Sequence, residues 1–278
     1  MSGVVVGLGA AAAVQAPFRP DTALGCLAVA LLLQVAANLA NDLSDFRAGA
    51  DTPDRTGPLR VAAAGLVSQR QLEVAIGATV ALAGLVGLWL ALVGGPVLVL
   101  LGALAIVAAL AYTGGPWPYG YHGLGEVFVF VFFGLVAVVG TAYLQAGAVE
   151  PVFVAAAVPV GALTTAILVI NNLRDIPTDA AAGKRTLAVI LGGRATTLEY
   201  AALVGVAFAV PVAVAVAGFG YAVLLPLAAI PLARPLWRTV RSFAEPRELN
   251  PVLKGTARLT LVYSLLFAVG LAISGAIR

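Results

Sequence analysis

Long apolar runs, broken by short polar or Gly/Pro interruptions, set the pattern of this chain. They cover about 21–43, 66–93, 96–113, 124–146, 151–173, 197–217, 219–240 and 256–276. Most reach the ~20 apolar residues that carry an α-helix through a bilayer. A shorter run, from Val4 to Val14, ends at Gln15-Ala16-Pro17. No basic stretch precedes it as in a signal peptide, so it is read as a truncated first helix. The expected fold is an all-α polytopic membrane protein: nine transmembrane helices in a single integral-membrane domain, residues 1–278.

Composition agrees with this pattern. The chain is 61% hydrophobic and 10% charged, with mean hydropathy +1.02, whereas soluble domains carry roughly 25% charged residues. The lone Cys26 and lone His122 exclude a disulfide scaffold and a multi-histidine metal centre. With nine helices, the loops after helices 2, 4, 6 and 8 share one side, and 14 of the 16 Lys/Arg residues fall there. The positive-inside rule makes that side cytoplasmic. The basic cluster from Arg234 to Arg258 reads as topology and anionic-lipid contact, and no nucleic-acid partner is expected.

Two polar strings interrupt the apolar pattern, and they echo each other. The first runs from Asn38 through Asn41, Asp42 and Asp45 to Asp51, Asp54 and Arg55. The second holds Asn171, Asn172, Arg174, Asp175, Asp179, Lys184 and Arg185. Together they contain six of the seven aspartates. Ionisable side chains at membrane level are costly and mark function by default. If the second helix continues through Asp45, then Asn38, Asp42 and Asp45 stand within about 60° on one face, at i, i+4 and i+7. Asn171 and Asp175 are again i, i+4. Pro177 disfavours helix at Ile176, which predicts that Asp179 and Lys184 come from a loop bending over the site. Two opposed carboxylate sets suit two Mg²⁺ ions around one diphosphate. Arg55, Arg60, Arg174, Lys184 and Arg185 are available to neutralise the remaining phosphate charge.

A third stretch, Tyr112 to Glu126, lies on the same side and is rich in Gly, Pro and aromatic residues. It suggests a shaped loop in which Tyr119, Tyr121 and Glu126 contact an aromatic co-substrate. Glu126 also opens a helix, where capping near the positive dipole end competes as an explanation. Trp117 has the alternative reading of an interfacial anchor. Phe128, Phe130, Phe132 and Phe133 spread over several helix faces, and a subset could line a groove for an isoprenoid tail.

Taken in order, Asn38 to Arg60, Tyr112 to Glu126, Phe132 to Gly134, Gly140 to Gln145 and Asn171 to Gly192 resemble the UbiA superfamily of intramembrane aromatic prenyltransferases. Within it, they are most similar to the branch acting on 1,4-dihydroxy-2-naphthoate. The resemblance implies nine helices around a central cavity and a polyprenyl diphosphate donor. It also implies Mg²⁺ held by Asn41, Asp42, Asp45 and Asp51 from the first motif and by Asp175 and Asp179 from the second. Asp45, Asp51, Asp175 and Asp179 are then the catalytic aspartates. Asn38, Asn41, Arg55, Arg60, Tyr119, Tyr121, Glu126, Asn171, Asn172, Arg174, Lys184 and Arg185 become the substrate-binding set. Family members usually begin with an Ala-Arg-Pro-Arg-Thr-Leu-Pro-like segment leading into the first helix, and this chain starts inside that helix. The implied activity is decarboxylating prenyl transfer to the naphthoate in menaquinone biosynthesis; a related transferase with another aromatic acceptor is the alternative. A cation-coupled transporter would instead place its acids near the bilayer midplane on broken helices.

Overall fold

The structure, a computed structural model, describes residues 1–47 and 65–277. Among these, nine helices follow the nine apolar runs: α1 (Ser2–Ala13), α2 (Pro20–Arg47), α3 (Gln69–Gly94), α4 (Val97–Ala111), α5 (Gly125–Ala146), α6 (Pro151–Ala181), α7 (Gly193–Phe219), α8 (Tyr221–Val240) and α9 (Leu249–Ile277). A short helix, Leu187–Leu191, connects α6 to α7. Seven of the nine, counted among the described residues, are long and apolar enough to cross a membrane; α1 and α4 are shorter. The chain is an integral membrane protein.

Local chemistry sets the helix ends. At the start of α3, Ser68 Oγ accepts from the Gln71 amide at 3.3 Å and Gln71 Oε1 accepts from the Ser68 amide at 2.9 Å. This reciprocal box satisfies donors that a helix N-terminus otherwise leaves open. Between α5 and α6 the chain reverses at Gly147, whose φ of +77° needs glycine, and Pro151 then opens α6.

The buried axis is α6. Of its most apolar window 67% lies inside the bundle, against 17–44% for the other spans. Around it, α1, α5 and α9 contribute Val6, Val138, Phe267 and Leu271 to a core that also holds Phe153, Val160 and Leu163 of α6. Lipid tails give helices no hydrophobic reason to associate with each other, so close backbone approach must supply the dispersion contact. Small residues make that approach possible. A side chain on Gly3 would meet Ala137 of α5 at 2.6 Å, one on Gly9 would meet the Ala268 backbone of α9 at 2.5 Å, and Gly275 lies against Ala12 and Ala13. The interior position of α1 explains why a 12-residue helix, about 18 Å long, is retained: it packs on protein rather than lipid. Within α5, residues Phe130–Val136 widen into a π-helical turn, and Gly134 there crosses Gly161 of α6.

One expectation is corrected here. Pro177 does not end α6, which continues through Ile176 to Ala181. An interior proline costs roughly 3 kcal/mol, because the i−4 carbonyl loses its donor. Burial of Leu173 and Arg174 and the bond from Thr178 Oγ1 to the Asp175 carbonyl (3.0 Å) act on the other side of the balance. Asp179 therefore stands on the helix, one turn beyond Asp175, and only Lys184 comes from the following loop.

Replacing Gly9 by Val is expected to destabilise the detergent-solubilised protein by about 1–3 kcal/mol, the usual cost of overpacking, seen as a lower Tm. Gly205→Ala, where a new Cβ meets nothing within 4 Å, should leave Tm unchanged or slightly raised.

Candidate functional site

The C-terminal ends of α2 and α6 face each other across a polar cavity of about 140 Å³, covered by the 112–124 loop and the loop after α6. From α2 come Asn41 and Asp45, one turn apart. From α6 come Asn171, Asn172, Asp175, Thr178 and Asp179, the last three spaced to share a face. Tyr112, Thr113, Tyr121, Lys184 and Thr186 complete the wall. The two polar strings of the sequence thus meet in one site.

In each string one described carboxylate is paired with a cation. Asp45 is buried; its Oδ1 accepts from Lys184 Nζ at 2.7 Å and from the Tyr121 hydroxyl at 2.9 Å. The Lys184 ammonium also lies 4.7 Å from the centre of the Tyr121 ring, a favourable cation–π placement. The loop carrying Lys184 is tied down by the Arg185 amide, which donates to the Tyr121 carbonyl at 3.0 Å. On the other side, Arg174 grips Asp175 with both arms of its guanidinium, Nε to Oδ1 at 2.7 Å and Nη2 to Oδ2 at 2.6 Å. The same guanidinium donates to Asn171 and, through Nη1, to Asn250 at the start of α9. Asn41 Oδ1 accepts from Thr113 Oγ1 at 2.8 Å, which fixes its amide at the cavity wall.

The covering loop is shaped by its aromatics. Tyr119 stacks on Phe128 with centroids 4.0 Å apart, meets Tyr112 edge-on, and donates its hydroxyl to the Ala108 carbonyl at 2.8 Å. Gly120 is required where the chain passes Tyr112, since a Cβ there would meet the Tyr112 carbonyl oxygen at 2.7 Å. Burial raises the hydroxyls of both tyrosines far above their ordinary pKa, with the Glu126 charge adding to the effect at Tyr112. Both therefore stay protonated donors.

The structure separates some residues that the sequence grouped. Asn38 is exposed and off the cavity, accepting from Gln34 at 3.5 Å. Asp42 is buried but does not line the cavity, so the expected Asn38–Asp42–Asp45 face is replaced by Asn41 with Asp45. Arg174 reaches the site through Asp175, and Arg185 is exposed outside it. Tyr119 is a packing residue of the loop. Glu126 lies behind the wall, accepting from Asn172 Nδ2 at 2.8 Å. Asp51, Arg55 and Arg60 lie outside the described residues. Sequence reasoning passed over Thr178, which its i+7 spacing from Asn171 on an uninterrupted helix would have revealed. It also missed Asn250, for which no local signal exists, because only the docking of α9 brings it to Arg174.

The donor set is all oxygen, from carboxylates and amides, which is the chemistry Mg²⁺ selects. Among the described residues no cluster of three Asp, Glu, His or Cys is close enough to hold a metal by itself. Mg²⁺ commonly takes only one or two carboxylates and completes its shell with water and substrate phosphate. The residues present fit that ion.

Comparison with known proteins places this geometry. The model of the UbiA prenyltransferase family matches residues 2–252. A 1,4-dihydroxy-2-naphthoate octaprenyltransferase of Mycobacterium tuberculosis is 47% identical, covering 97% of this chain and 91% of that protein. The protein of that name from Escherichia coli is 40% identical, covering 94% and 87%. Among solved structures, a UbiA homolog from Aeropyrum pernix aligns with TM-score 0.73 at 19% identity over 98% of this chain and 96% of the other. A UbiA homolog from Archaeoglobus fulgidus, bound to DMAPP and Mg²⁺, aligns with TM-score 0.63 at 15% identity over 98% and 95%.

Arg174→Ala, which takes a buried guanidinium away from a half-buried carboxylate, should cost about 2–3 kcal/mol. Asn250→Ala should cost about 1 kcal/mol, the size of one hydrogen bond. Thermal unfolding of both purified variants beside the wild type checks the order.

Proposed function

The chain belongs to the UbiA prenyltransferase family, and on that footing we propose that it transfers a polyprenyl chain from its diphosphate to 1,4-dihydroxy-2-naphthoate with loss of CO₂. The product is demethylmenaquinol or its oxidised quinone, in menaquinone biosynthesis. The observation that carries the reading is the meeting of Asp45 with Asp175 and Asp179 across one cavity, with Lys184 in its wall and paired with Asp45. The naphthoate octaprenyltransferases that share 40–47% identity with the chain support the same substrate pair.

Asn41 and Asp45 on one side, with Asp51 from the same string, and Asp175 and Asp179 on the other would hold two Mg²⁺, which when bound would supply the Lewis-acid charge that a leaving diphosphate requires. The chain's own residues do the rest. Lys184, held at Asp45, places an ammonium at the cavity wall for the diphosphate oxygens. Arg174 acts at one remove: it fixes the direction of Asp175. As the allylic C–O bond breaks, its electron pair goes to the diphosphate. The ring carbon bearing the carboxylate attacks the allylic carbon, a C–C bond forms, and CO₂ departs, leaving its bonding pair to restore the aromatic ring. No net proton is released. The positive-inside rule, applied to the arginine-rich loops, supports a cytoplasmic position for this cavity at the cell membrane, in a protein read as one domain, residues 1–278.

With Mg²⁺ present, membranes containing the protein should convert a polyprenyl diphosphate and 1,4-dihydroxy-2-naphthoate into the prenylated, decarboxylated product, with one diphosphate and one CO₂ released per transfer, as read by mass spectrometry. Asp45→Ala and Asp175→Ala should each lower the rate on the order of 100-fold or more, and chelation of Mg²⁺ should abolish it. Product formed only from 4-hydroxybenzoate would move the acceptor to a benzoate. Full Mg²⁺-dependent activity in both variants would overturn the assigned site.

A further inference from the structure

Beside the polar cavity lies a second, wide-open one, about 310 Å³ in volume, between the start of α5, the middle of α6 and the first turns of α7. Val127, Phe130, Val131 and Leu203 make most of its wall apolar, yet two carboxyl groups, Glu126 and Glu199, open into it. Glu126 is 5% exposed. Its Oε1 accepts from Asn172, a residue of the first cavity's wall. Oε2 of Glu126 and Oε2 of Glu199 are both buried, with no hydrogen-bond partner among the described residues. A buried acceptor left unmet is costly, and membrane-level carboxyls facing an apolar space mark function by default. The side chains around them offer what a small-molecule site normally offers: apolar walls with a few convergent polar groups.

We propose that this cavity binds an aromatic ring bearing phenolic hydroxyls, which donate to Glu126 Oε2 and Glu199 Oε2 while the ring lies against Phe130, Val131 and Leu203. The inference rests on the transferase reading above and deepens it. The hydroxylated acceptor and the prenylated hydroquinone product share this chemistry, and the Asn172–Glu126 hydrogen bond sets either one a single side chain away from the diphosphate cavity. Glu199 becomes a specificity residue that no motif of the sequence contained.

The test uses the full-length protein in detergent, with Glu199→Leu, and Glu199→Gln as the conservative partner in case the first fails to fold. Loss of hydrogen bonds to a carboxyl acceptor should raise the KM for 1,4-dihydroxy-2-naphthoate roughly 10-fold or more, with the KM for the prenyl diphosphate moving less than about twofold. An unchanged acceptor KM with a correspondingly weaker inhibition by prenylated hydroquinone would assign the cavity to the product instead. Calorimetry with 1-hydroxy-2-naphthoate should show weakened binding in Glu199→Leu and a smaller loss in Glu199→Gln, whose amide oxygen still accepts, whereas 2-naphthoate, which lacks the hydroxyl, should bind wild type and variants alike. If neither acceptor KM nor product inhibition changes, or if both KM values rise together, the proposal fails. Should the wild type use a different phenolic acid, the naphthoate reading fails by itself, and the calorimetric pair of ligands still decides the cavity.

Discussion

A carboxylate at the rim of an apolar helix bundle must be met by a donor or a cation, and that constraint organises this molecule. Asp45 is met by Lys184 and Tyr121, and Asp175 by both arms of Arg174. The Asp45 pairings join parts of the chain that are distant in sequence, whereas Arg174 and Asp175 are neighbours on α6. Lys184 reaches back 139 positions to Asp45, so the loop after α6 is anchored to α2 and covers the cavity between them. Arg174 recruits Asn250, so α9 is drawn to the same point. The charges required for diphosphate chemistry are thus also the fasteners that close the polar end of the bundle.

Below that rim the bundle is held differently. Its helices approach through glycine and alanine, as at Gly9 against Ala268 and Gly134 against Gly161, because only short distances yield enough dispersion contact where the solvent is itself hydrocarbon. The result is a rigid, apolar lower half under a polar cap. This division suits a reaction that ionises an allylic diphosphate: the cap manages the anion, while apolar walls keep water from the cation. The π-helical turn in α5 sits where the two halves meet and aims Phe130 toward α6; such turns are common at functional sites.

Much of this was legible in the chain. Nine apolar runs became nine helices among the described residues, since length and hydropathy decide whether a segment can satisfy its own backbone in lipid. The paired Asn/Asp strings and the Tyr112–Glu126 stretch were recognisable as chemistry because polar residues there are too costly to be incidental. Their spacing misled in two places. Heptad geometry favoured Asn38 with Asp42 and Asp45, whereas the rotation of α2 turns Asn41 and Asp45 to the cavity and leaves Asn38 exposed. Pro177 argued for a loop, yet the helix runs on to Ala181. In both cases a local preference of a few kcal/mol or less was outweighed by burial and packing against neighbouring helices.

By itself, then, the sequence determined the class of molecule, the number of helices and the residue types at its chemical end, because these follow from transfer free energies that act residue by residue. Only the tertiary structure decided which aspartates share a cavity, that Arg174 serves Asp175 rather than standing free for phosphate, and that Asn250 and Glu199 join the site's surroundings. Those facts depend on helix rotation and docking, which are set by the sum of many small contacts between segments far apart in the chain, and no single stretch of sequence records that sum.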